Sequence, residues 1–182
     1  MFLIGNNATQ MYRYNFAANA WTTTSANIGT PALAAVPAAP GAGNVACWLP
    51  GSGASNAADT LIVLRGAASS SVYTYNMVTN AWGTLTYNPS TETFTTGTAS
   101  AIQSDAAGKN AKLILKKDTT GRLFRLDMLA AEMTPLATQN ISSDGTALVG
   151  DRMFAMRSPD GIDFVTMQLS TSPYMLRTGL FF

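Results

Sequence analysis

Residues 72–82 read Val72-Tyr73-Thr74-Tyr75-Asn76-Met77-Val78-Thr79-Asn80-Ala81-Trp82. Residues 11–21 nearly repeat them as Met11-Tyr12-Arg13-Tyr14-Asn15-Phe16-Ala17-Ala18-Asn19-Ala20-Trp21. Tyr and Val suit a pleated, half-buried surface. An Asn at the end of such a run bonds its own backbone and starts a turn. Each stretch therefore reads as a strand, an Asn-initiated turn and a Trp that opens the return strand. Fainter copies run from Leu123-Phe124-Arg125-Leu126-Asp127 to Met133, and from Phe164-Val165-Thr166-Met167-Gln168 to Tyr174.

Working outward without gaps, the match extends upstream. Met1, Ile62, Leu113 and Phe154 stand ten residues before the four starts, and Leu3, Leu64, Leu115 and Met156 stand eight before. A polar residue recurs at Asn15, Asn76, Asp127 and Gln168. One block of 21 residues thus begins at positions 1, 62, 113 and 154, with successive starts 61, 51 and 41 apart. Leu61-Ile62-Val63-Leu64 has strand length rather than helix length. The Gly/Ser/Asp-rich segments 66–71, 117–121 and 158–161 read as hairpin connections. A third strand is expected at 20–25, 81–87, 133–138 and 174–178. A fourth is expected before the later blocks, at 44–49, 98–104 and 146–150. Residues 128–133 look helix-prone in isolation, but the repeat makes them a turn and a strand start.

Block one lacks the preceding strand, and the apolar tail Gly179-Leu180-Phe181-Phe182 is left over. The tail is expected to supply that strand and close the first blade. The expectation is all-β: one domain, 1–182, forming a four-bladed β-propeller, which leaves only short protected edges and has a blade period of roughly 40–60 residues.

The block resembles the kelch-type blade: an apolar strand, a hairpin, a strand ending in Tyr-Asn, a turn, then Trp. The paired glycines usual after the second kelch strand are absent; Ile4-Gly5-Asn6, Arg65-Gly66-Ala67, Lys116-Lys117 and Arg157-Ser158 stand there. The chain is therefore kelch-like, and the family's partner-binding roles do not transfer with the resemblance.

Charged residues make up 12% of the chain, about half the usual ~25%. Net charge is +1, so nothing draws the whole chain to nucleic acid or to a membrane surface. The run Met1-Phe2-Leu3-Ile4 has no basic residues before it and reads as a strand rather than a secretory signal. No unbroken apolar stretch nears ~18 residues, so no membrane-spanning helix is expected. Cys47 is the single cysteine, which excludes an internal disulfide and suits a small buried side chain.

Histidine is absent from the composition. That removes Ser-His-Asp and Cys-His nucleophiles, His-ligated zinc and the copper site of the galactose-oxidase relatives that carry kelch blades. Ten carboxylates remain; Asp118, Asp144 and Asp160 sit near glycines in turns, and no calcium-loop spacing occurs. A paired-carboxylate glycosidase stays formally open. No catalytic residue, metal or cofactor is assigned. The candidate binding residues are Arg65, Lys116 and Arg157, one past the second strand in three blocks, where a ring would gather them into a cationic face for an acidic partner. Solvated strand ends are the competing explanation. Trp48 lies outside the repeat and is free for recognition. Tyr12, Tyr14, Tyr73, Tyr75, Phe124, Trp21 and Trp82 read as packing between blades.

The low-charge, Ala/Thr/Ser/Asn-rich composition resembles that of tailed-bacteriophage virion proteins. It implies a non-enzymatic structural or adaptor part of the virion (capsid decoration, neck or tail) assembled in the host cytoplasm. Its partners would be other virion proteins, in many symmetric copies. The long loops 27–43 and 51–59 would make the contacts. The alternative is a carbohydrate- or receptor-binding module of a phage tail, with a glycan as ligand.

Overall fold

The computed structural model describes residues 1–5, 7–24, 32–49, 60–89, 91–96, 98–103, 112–117, 122–128, 130–136, 152–157, 163–168 and 175–179. For residues 49, 99, 101–103 and all those from 152 onward, only the backbone is described. The fold is all-β, with no helix among the described residues. Four antiparallel sheets follow one another along the chain. The first is β1 (Phe2–Ile4), β2 (Met11–Asn15) and β3 (Ala20–Thr22). The second is β4 (Val45–Leu49), β5 (Thr60–Leu64), β6 (Val72–Asn76) and β7 (Ala81–Leu85). The third is β8 (Ala99–Gln103), β9 (Lys112–Lys117), β10 (Arg122–Asp127) and β11 (Glu132–Pro135). The fourth is β12 (Arg152–Arg157), β13 (Asp163–Gln168) and β14 (Met175–Gly179). Each sheet is a meander of consecutive strands.

All three strands expected of every block form, and the extra strands expected at 44–49 and 98–104 are β4 and β8. The one expected at 146–150 falls outside the described residues. So does loop 51–59.

In the first three sheets, the turn after the second strand is built by the residue that ends it. The Asn15 Oδ1 accepts from the Ala17 and Ala18 N–H groups at 3.0 and 3.3 Å. Asn76 Oδ1 accepts from Val78 and Thr79 at 2.9 and 3.0 Å, and Asp127 Oδ1 from Ala130 at 3.0 Å. Four residues on, each turn enters the left-handed region: Asn19 at φ 50, Asn80 at 54, Ala131 at 53. Asn adopts that conformation at little cost, while a residue such as Ala gives up ~1–2 kcal/mol. Residues 128, 130 and 131 accordingly belong to a turn that leads into β11.

The first hairpin of each block does not keep one register. Leu3 lies opposite Tyr12 and Leu115 opposite Phe124. In the second sheet Leu64 lies opposite Val72, and Val63 takes the place opposite Tyr73. The fourth sheet follows the second, with Ala155 opposite Val165. The ungapped alignment of the first strands is therefore off by one residue in half the sheets. Since side chains alternate faces with period two, a one-residue slip moves a side chain to the other face.

Stacking proceeds in chain order. Phe2, Ile4 and Met11 of the first sheet pack on Leu61, Val63, Tyr73, Tyr75 and Trp82 of the second. The opposite face of the second sheet, with Ile62, Leu64 and Val72, packs on Leu113, Leu115, Phe124, Leu126 and Met133 of the third. Burying each large apolar side chain contributes roughly 1.5–3 kcal/mol. β8 runs beside both β4 and β12; Cys47 Sγ and Ser100 Oγ, 3.0 Å apart, join β4 to β8.

Two expectations are corrected. Gly179 is not part of a closing strand on the first sheet, because it belongs to β14 and lies opposite Phe164; residues 180–182 fall outside the described set. Loop 27–43 is irregular over its described part, 32–43, but it is not a free excursion. Leu33 and Val36 are buried in the core between the first two sheets, and the segment is pinned by Gly41 N–H to the Arg65 carbonyl at 3.0 Å and Ala67 N–H to the Ala42 carbonyl at 2.8 Å.

Candidate interaction surface

One face of the first sheet carries an aromatic set that no described element covers. Tyr12 and Tyr14 alternate onto the face opposite Met11. Leu3 lies across from Tyr12, and Trp21 across from Tyr14. The Tyr14 ring meets Trp21 edge-on at 5.3 Å and Phe16, at the turn, at 5.1 Å. Leu3, Tyr12, Phe16 and Trp21 are exposed, Trp21 to 43%. Their counterparts in the second sheet are not: Tyr73 and Tyr75 are buried, with Phe2 packed on the Tyr75 ring at 6.1 Å. The first sheet covers the second, and the third lays its own Phe124, Leu126 and Met133 on the second. Among the described residues, nothing packs on the first sheet's face of this type. Trp21, expected to pack like Trp82, is corrected on this ground.

The corner of this face repeats a site that is filled in the next sheet. In the second sheet Tyr75 donates its hydroxyl proton to Asn80 Oδ1 at 2.6 Å. The same Oδ1 accepts the Ala34 N–H at 3.0 Å, and Asn80 Nδ2 donates to the Ala32 carbonyl at 2.7 Å. Trp82 Nε1 donates to the Ala34 carbonyl at 2.9 Å. The incoming connector is thus strapped across the Tyr75-Asn80-Trp82 corner by its backbone. The third sheet does likewise: Asn88 N–H donates to the Ala131 carbonyl at 3.0 Å, and its carbonyl accepts from Met133 N–H at 2.9 Å. In the first sheet Tyr14 also donates to Asn19 Oδ1, and Asn19 takes the same left-handed φ. Among the described residues, no backbone segment lies on Asn19 or Trp21.

The expected cationic face does not assemble. Lys116 is fully buried, 0% exposed, inside β9. It lies opposite Leu123, on the third sheet's face away from the second. Arg65 belongs to the other register: Leu64 already lies opposite Val72, so Arg65 faces the first sheet's side and donates through Nε to the Ala39 carbonyl at 3.3 Å. The slip therefore puts the two cations on opposite sheet faces. Arg157 ends β12 opposite Asp163; its side chain is outside the described set. Trp48 is exposed, 45%, on β4 as expected, well apart in sequence from the aromatic corner.

Three groups are shifted from their ordinary ionisation, and burial is the main cause in each: Tyr75, Tyr87 and Cys47. Burial pushes the Tyr87 hydroxyl up to about 12, with the Glu92 carboxylate adding to it; the hydroxyl donates to the Ser70 carbonyl at 2.7 Å. Burial also raises the Cys47 thiol above its usual value, against the opposing effect of Ser100, which keeps it in the unreactive thiol form. No group of three or more His, Cys, Asp or Glu residues that could hold a metal ion occurs among the described residues, and no described helix is long and apolar enough to cross a membrane. No protein-family model matches the sequence, and no curated protein does. The chemistry on offer at the corner is contact chemistry: ring faces, an indole N–H and an amide able to donate and accept at once.

Proposed function

We propose that the chain is a four-bladed, kelch-like β-propeller that serves as a non-enzymatic structural or adaptor part of a large assembly, in the manner of a tailed-bacteriophage virion protein. One observation carries the reading. The first three sheets stack in order through the same pair of faces, and the first sheet is left with an exposed aromatic face of the kind its neighbours bury. In the ring, the fourth sheet would cover Tyr12 and Tyr14. The rim of that face, at Asn19 and Trp21, is the part a neighbouring protein would cover, and the low charge suits a chain that works surrounded by other proteins. The test is to purify native particles from cells that make this chain, measure its copy number by mass spectrometry and locate it by imaging. Fixed stoichiometry in a particle is expected; recovery only as free protein refutes the assembly role.

Exposed Trp48, Tyr12 and Trp21 favour one second reading, a carbohydrate- or receptor-binding module, because ring faces stack on apolar sugar faces. Saturable glycan binding on an array, lost on Trp48→Ala or Trp21→Ala, would select it over the first.

A further inference from the structure

We infer that the Tyr14-Asn19-Trp21 corner is a docking site for an extended polypeptide segment of small apolar residues, supplied by a neighbouring chain. It rests on the assembly reading only for the source of that segment. The chain itself displays the ligand. In the second sheet, residues 32–34 cross the equivalent corner and are held by Asn80 on both sides and by the Trp82 indole. Their side chains, from Ala32 to Val36, include Leu33 and Val36 in the core and small alanines between. The corner recognises backbone: a carbonyl, then an N–H and a carbonyl two residues on.

In the first sheet the same three side-chain types sit on the same turn. Tyr14 holds Asn19 by the same hydroxyl bond, and Asn19 keeps the same left-handed backbone. Its Nδ2 and the Trp21 Nε1 point to no described partner.

A second deficit coincides with the first. In the second and third sheets, the strapping connector leads into the strand that pairs with the block's first strand, β4 on β5 and β8 on β9. Among the described residues the first sheet has neither strap nor strand, and the outer side of β1 is unpaired. An added segment crossing the corner and then pairing with β1 is a form of strand addition to an open edge.

The test uses the full chain, labelled with ¹⁵N, and a synthetic peptide with the sequence of residues 32–38, Ala-Leu-Ala-Ala-Val-Pro-Ala. The three indole N–H signals are assigned with Trp→Phe variants. A saturable shift of the Trp21 indole signal, with the Trp82 signal unmoved, is expected. Asn19→Gly keeps the left-handed backbone and removes the amide, so affinity should fall roughly thirtyfold for two lost hydrogen bonds. Trp21→Phe, which keeps a ring, should cost roughly fivefold. Self-association of the chain that Asn19→Gly abolishes would also support the site and name a second copy as donor. No shift at millimolar peptide, equal shifts at Trp21 and Trp82, or unchanged affinity in both variants overturns the inference. None of these outcomes depends on whether the chain is found in a particle.

Discussion

Asn80→Gly and Asn19→Gly are the same change at equivalent points of two sheets, yet the structure gives them different costs. Asn80 makes three hydrogen bonds: from the Tyr75 hydroxyl, from the Ala34 N–H and to the Ala32 carbonyl. At ~1 kcal/mol each, their loss destabilises by about 3 kcal/mol. Asn already adopts the left-handed φ of 54 at little cost, so glycine recovers little there and the net loss stays at about 3 kcal/mol. At 2–4 °C per kcal/mol for a chain of this size, Tm should fall by about 6–12 °C. Asn19 makes one exposed side-chain bond, with Tyr14, so its variant should lie within about 1 kcal/mol of the parent. Urea denaturation followed by circular dichroism measures both, with unchanged slopes confirming that the unfolded reference is shared. Equal losses in the two variants, or no loss in Asn80→Gly, would refute the claim that the strap on the second sheet is held by this amide.

Three further outcomes follow from the same geometry. Gly66→Ala should destabilise by at least ~3 kcal/mol in a thermal melt: residue 66 sits at φ 66, and an added Cβ would lie 2.5 Å from the Asn44 nitrogen and 2.6 Å from the Ala42 carbonyl oxygen. Phe94→Ala should cost ~3–5 kcal/mol, read as a lowered urea midpoint, because Phe94 is fully buried and meets Phe124 edge-on at 6.2 Å. Tyr87 keeps its proton longer when folded than unfolded, since its folded value is about 12 and its ordinary value 10. The folded state then binds more protons across that window, so the stability from this group is complete below pH 10 and is lost as pH rises toward 12. Titration of stability against pH should show that decline in the parent and a smaller one in Tyr87→Phe.

What could be read without coordinates was local. The Tyr-x-Tyr-Asn runs carried their own strand propensity, and the Asn or Asp at each run's end carried its own turn, so β2, β6 and β10 and the strands after them were legible from neighbours in the chain alone. Even the helix-prone segment 128–133 yielded to the repeat. The register of β1 on β2, or β5 on β6, was not legible. A one-residue slip leaves the sequence pattern intact while exchanging the two faces of a strand, and hairpins of differing length absorb it. That slip decided that Lys116 lies buried and Arg65 faces the other way. The roles of Leu33, Val36 and Phe94 were likewise hidden, since irregular segments have no period by which to mark a buried side. Finally, Trp21 and Trp82 are the same letter in the same motif. Only the stacking of the sheets decides between them: Trp82 packs half-buried against the core between the first two sheets, while nothing described covers Trp21.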